Sequence, residues 1–130
     1  MKEPSAKRKR TLALHDRAIR FSVNVIPGKV VWNQLVRAAD STSNNLIEAD
    51  DATSDADFLS KMGIALREVK ESRAALIKLR LGSLDHFQKV ANQNLESEAT
   101  QLAAIFATII LNMRLRLEEQ AKFGKKSRKL

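Results

Sequence analysis

The chain has 130 residues, 44% of them hydrophobic, no cysteine and a formal net charge of +8, which fits one globular domain without disulfides or thiolate metal ligands. Four Gly, two Pro, five Phe, one Trp and no Tyr favour helices over strands. No window approaches eighteen uninterrupted apolar residues and the basic N-terminus is followed by no apolar run, so no membrane span and no secretory signal are expected, and a cytoplasmic location follows by default.

Residues 1–10 are polar and aperiodic, with Lys7, Arg8, Lys9 and Arg10 among five bases against Glu3, and read as a flexible basic arm. From Thr11 to Val25 the apolar residues form two adjoining faces, Leu12, Ile19, Val23 and Ile26 on one and Leu14, Ala18, Phe21 and Val25 on the other, which predicts a first helix. Pro27-Gly28 ends it, because proline has no N–H and disfavours helix in the residue before it.

The second helix is expected over 29–51. Gln34, Arg37, Ser41, Asn45 and Glu48 follow one another at steps of 3 or 4 and so make one polar stripe. Beside it Val31, Leu35, Ala38, Thr42, Leu46 and Ala49 form a core face. An acidic run from Asp40 to Ser60 then leads into Ser54-x-x-Asp57, a start resembling a capping box. Those acids suit the positive end of a helix dipole, and they lack the glycine and terminal glutamate of a calcium loop.

The third helix, 57–81, places Phe58, Met62, Ala65, Val69, Ser72, Leu76 and Leu79 at alternating steps of 4 and 3, flanked by Leu59, Leu66 and Ile77. So broad an apolar sector predicts contact with more neighbours than one partner helix, including another subunit. Its cations Arg67, Lys70, Arg73, Lys78 and Arg80 could face phosphate, or could be a solvated face with pairs such as Arg67 to Glu71. Gly82 is the expected C-cap, and the stretch to Gln93 reads as a connection with a turn near His86-Phe87.

Asn94 is a plausible N-cap for the fourth helix, whose seam is Leu95, Ala99, Leu102, Phe106, Ile109, Met113 and Leu117, widened by Ile105 and Ile110. Residues 121–130 form a second basic tail with Lys122, Lys125, Lys126, Arg128 and Lys129. The two ends hold all of the net positive charge, and residues 11–120 are close to neutral. The fold expected is an all-α, antiparallel up-down-up-down four-helix bundle over 11–120.

Catalytic patterns are scarce. Two histidines, no cysteine, no Gly-rich phosphate loop and no nucleophile elbow leave little for an enzyme, and no Glu-x-x-His pair is present for a bundle metal site. No cofactor is expected. The polar stripe allows two readings. Arg37, Asn45, Glu48, Glu68 and Glu71 could converge on a small ligand; alternatively Arg37 pairs with a carboxylate of the third helix while Ser41 and Asn45 satisfy polar groups between helices. The structural reading is preferred, since a partly buried arginine near carboxylates is commonly paired.

The order Gln-Leu-x-Arg37, Ser41, Asn45, Glu48-Ala49, Ser54, Asp57-Phe58 and Ile64-Ala65-Leu66-Arg67-Glu68-x-Lys70-Glu71 resembles a bacterial four-helix-bundle family. That family was first noted in intervening sequences of large-subunit ribosomal RNA genes, and is related to the accessory (variability determinant) proteins of diversity-generating retroelements. The likeness is close over these residues and loose over the rest of the chain. It implies barrel-shaped homopentamers around a central channel, and, by analogy with the retroelement proteins, a basic particle working with a reverse transcriptase and its RNA. The chain departs from the pattern at Ala74-Ala75, where relatives often carry an aromatic pair, and at Ser43-Asn44, where they often have Gly or Pro.

A non-enzymatic protein that binds RNA or DNA through backbone charge is therefore the first expectation, since terminal cations tethered on one oligomer gain by effective concentration. A structural adaptor that recruits another protein is the second. A ligand-binding or enzymatic use of the stripe is the third.

Overall fold

The computed structural model describes residues 3–25, 28–82 and 86–128 and contains four helices, α1 (Ala6–Val25), α2 (Gly28–Asp50), α3 (Asp55–Leu81) and α4 (His86–Arg128). Together they make an all-α four-helix bundle, with no strand among the described residues. Ile26, Pro27 and Lys129, and the side chains of Val23, Val25, His86 and Phe87, lie outside what is described.

α3 is the centre. Ion pairs Arg37–Glu68 and Lys61–Glu48 fix its register with α2, the chain numbers rising on one helix as they fall on the other, so the two are antiparallel. Arg80–Glu96 and a shared hollow at Phe58 and Met113 do the same for α3 and α4. α1 lies against α3 over a smaller contact.

The core is built from Ala49 of α2, Met62, Ala65 and Val69 of α3, and Ala99, Phe106 and Ile110 of α4, with Phe58, Leu59, Leu66 and Leu102 packed around it. Ala49, Ala65 and Ala99 contribute one small buried side chain from each of the three helices, and Met62 is almost completely buried among the cluster. Two buried hydroxyls are satisfied on their own helices: Thr42 Oγ1 donates to Ala38 O at 2.8 Å and Ser72 Oγ to Glu68 O at 2.9 Å.

The caps of α3 agree with the sequence. Ser54 has extended backbone and its side chain accepts from the Asp57 N–H at 3.1 Å, while the Gly82 N–H donates to the carbonyls of Lys78 and Leu79. Three boundaries differ. α1 begins within the expected arm, because Ser5 caps it: its Oγ accepts from the Arg8 N–H at 3.2 Å. α4 starts at His86, and Asn94 is an exposed interior position instead of a cap. No Gly or Pro interrupts 86–93, and among the side chains described there the buried one is the polar Asn92, so the helix shows little apolar period. At the other end α4 continues through the expected tail to Arg128, since only Gly124 weakens it and Lys125, Lys126 and Arg128 suit the negative end of the dipole.

The broad apolar sector of α3 is consumed within the chain, by α2, α4 and α1 together. Large exposed apolar residues lie elsewhere, with Leu14 and Phe21 on α1, Trp32, Val36 and Ile47 on α2, and Ile105, Leu111 and Leu115 on α4. Leu46, Leu95, Ile105 and Ile109, expected in the core or its margin, are exposed as well. The physical reason is that α2 and α4 pack on α3 but hardly on each other, leaving between them a groove of about 360 Å³ walled by Trp32, Val36, Leu95 and Leu102.

Candidate nucleic-acid interface

The polar stripe of α2 meets α3 along one edge of the bundle. Arg37 Nη2 donates to Glu71 Oε2 at 2.8 Å and Nη1 to Glu68 Oε2 at 3.3 Å. The Arg37 side chain is 59% exposed while that of Glu68 is 10% exposed, so the guanidinium reaches in from solvent to cover a carboxylate that the helices hide. The hydrogen bond to Glu71 and the charge of Glu68 raise the Arg37 pKa further. The predicted pairing of Arg37 with α3 is present, but at the surface and not inside the bundle.

Ser41 and Asn45 do not bridge helices. Asn45 Nδ2 donates to the Ser41 carbonyl at 2.8 Å and lies 3.2 Å from its Oγ, so both are satisfied within α2. Glu48 crosses instead, meeting Lys61 Nζ at 3.0 Å, and this hydrogen bond and the carboxylate charge raise the lysine pKa. Glu71 belongs to Arg37, which removes the intrahelical Arg67–Glu71 pair considered from the sequence.

Beside Arg37 lies a cleft of about 310 Å³ lined by Gln34, Glu71, Ala74, Ala75 and Lys78. The small Ala74-Ala75 pair leaves this space open, where the resemblance leads one to expect aromatic bulk. A guanidinium, a carboxylate and an ammonium around the opening could hold a small polar ligand, although two of the five Arg37 N–H donors are already engaged by Glu68 and Glu71.

A second network went unseen in the sequence. Arg80 Nε and Nη2 donate to Glu96 at 2.8 and 3.1 Å, and Asn92 Nδ2 donates to the Leu76 carbonyl at 2.6 Å and to Glu96 at 3.3 Å. The Glu96 hydrogen bonds raise the Arg80 pKa against the opposing effect of burial. The available signal was the spacing of Asn92, Glu96 and Ala99, an inward helical row whose first members are polar.

The α3 cations are thus divided. Arg67, Lys70 and Arg73 recur at every third position and are exposed, Lys78 borders the cleft, and Arg80 is committed to Glu96. Lys7, Arg8, Lys9 and Arg10 are exposed on the first turns of α1, where Lys9 meets Glu3 at 3.3 Å. Lys122, Lys125, Lys126 and Arg128 are exposed on the last turns of α4, with Phe123 beside them at 76% exposure. Phe21, expected on an apolar face of the first helix, is exposed as well.

Residues 28–124 match the family model of the 23S rRNA-intervening sequence protein. The chain belongs to that family. The family's match begins at the first residue of α2 and runs into the last turns of α4, so it covers the α2–α3–α4 core and leaves α1 outside. Among solved structures, the chain is similar to a protein with unknown function from the S23 ribosomal protein family of Bacteroides thetaiotaomicron, at 28% identity and a TM-score of 0.55, over 72% of this chain and 85% of that one. No curated protein matches.

Proposed function

We propose that the chain is a non-enzymatic, homo-oligomeric protein that binds RNA or DNA through phosphate charge. The observation that carries this reading is the division of charge in the fold. Glu48, Glu68, Glu71 and Glu96 are committed to ion pairs that hold the helices together, while basic residues crowd the exposed first turns of α1 and last turns of α4. Cations left facing solvent in clusters release counterions when they meet phosphates, which drives binding without reading bases. By analogy with the retroelement accessory proteins, the reading extends to a pentamer working with a reverse transcriptase and its RNA, and exposed apolar residues on α1, α2 and α4 suit self-association.

Fluorescence anisotropy with labelled oligonucleotides tests the reading, comparing the full chain with one lacking 1–10 and 121–130. Loss of binding with an unchanged mass by light scattering is expected. Equal binding by the shortened chain would move the site to Arg67, Lys70 and Arg73. No binding by either at low salt would favour the adaptor reading, for which the apolar groove between α2 and α4 is the natural seat.

A further inference from the structure

We infer that the C-terminal end of α4 is a rigid basic helix that docks in the major groove of B-form duplex DNA. This rests on the nucleic-acid reading above and names its ligand class. α4 has 43 residues against 27 in α3, and the antiparallel register brings the start of α3 level with Met113 and Arg116, which share a hollow with Phe58. Leu117 is the last half-buried side chain of an apolar residue among the described residues, and beyond it 118–123 and 125–128 are exposed. α4 therefore projects past its partner by about 15 Å at 1.5 Å per residue.

Three features keep the projection helical. It extends a helix already nucleated in the bundle, so each residue adds a hydrogen bond without the nucleation cost. Glu118 and Glu119 stand four and three residues before Lys122, the favourable order for helix charges. Lys125, Lys126 and Arg128 occupy the last turn, where the dipole is negative.

Lys122, Lys125 and Lys126 share one face, and Arg128 lies one turn beyond Lys125. A free-standing helix with cations along one face fits a groove about 12 Å wide with phosphates on both walls, which B-form DNA offers. The deep, narrow major groove of A-form RNA excludes it. A single exposed aromatic, Phe123, with no surrounding groove is not the stacking platform that single strands use.

Gly124 makes the idea testable at constant charge. A Cβ there would meet nothing within 4 Å, so Gly124→Ala stiffens the projection without a clash, and Gly124→Pro breaks it. Anisotropy at low salt would compare full-length wild type and both variants on a DNA duplex, an RNA duplex of the same sequence and each single strand. Light scattering and circular dichroism would show that the bundle persists. The expected results are DNA duplex binding tighter than RNA duplex by about tenfold, weakened about tenfold by Gly124→Pro and held or tightened by Gly124→Ala. Phe123→Ala should leave duplex binding unchanged. Nucleic-acid binding that is equal for the two duplexes, strongest for single strands, or indifferent to Gly124→Pro overturns this inference and leaves the broader reading standing. Absence of all binding by wild type overturns both.

Discussion

Met62 is the side chain on which the three packed helices converge. Among the described residues it is the largest fully buried side chain, in a cluster with Ala49, Ala65, Val69, Ala99, Phe106 and Ile110. Met62→Ala should therefore destabilise the fold by about 2–5 kcal/mol, read from urea denaturation. Arg37 differs in kind. Because the arginine is exposed and Glu68 hidden, Arg37→Ala should lower the denaturation midpoint by uncovering Glu68, and restoring it needs loss of the carboxylate as well, as in Arg37→Ala combined with Glu68→Gln. A midpoint unmoved by Arg37→Ala would assign the stripe to solvent. The Lys61–Glu48 pair raises the folded-state lysine pKa above its ordinary 10.5, so its contribution is complete below that pH and disappears as pH climbs through the raised value. The stability gap between wild type and Lys61→Gln should accordingly close in strongly alkaline buffer.

At the scale of elements, the caps and seams that obey one strong local rule were legible in the chain. Ser54 before Asp57, Gly82 after Leu81 and the 4-3 row through Met62, Ala65, Val69 and Ser72 each state their structure in residues a few positions apart. The start of α4 was not legible, because its inward position is Asn92, which the fold satisfies with the Leu76 carbonyl and Glu96 from positions distant in sequence or not yet known to be helical. The basic ends concealed their helicity for a related reason: a solvent-facing helix has no apolar period to display. Asn92→Ala should cost about 1–3 kcal/mol in urea denaturation, since the buried tie from α4 to the Leu76 carbonyl is lost together with the weaker one to Glu96. Ser54→Ala should cost about 1 kcal/mol, measured as a shift of midpoint at constant slope.

Across the whole molecule, the candidate interface was legible as composition but not as shape. The terminal charge excess is plain in the sequence, and so is the Arg37 pairing to α3. The partition of the α3 cations, with Arg80 held by Glu96 and Lys78 at a cleft, depends on how α4 lies against α3. The broad apolar sector of α3 does meet several neighbours, all within the chain, and the large exposed apolar side chains lie on α1, α2 and α4. If self-association uses the α2–α4 groove, Trp32→Asp should reduce the mass seen by light scattering, and the fluorescence of this single tryptophan should report assembly. On the proposed reading, exposed cations directed at phosphate, not a pocket, are what the protein presents to nucleic acid. The most direct test is the affinity of the full chain for a labelled oligonucleotide as salt is varied. Log affinity should fall linearly with log salt, on the order of a thousandfold between 50 and 200 mM for six or more phosphate contacts. An affinity that holds steady over that range would contradict it.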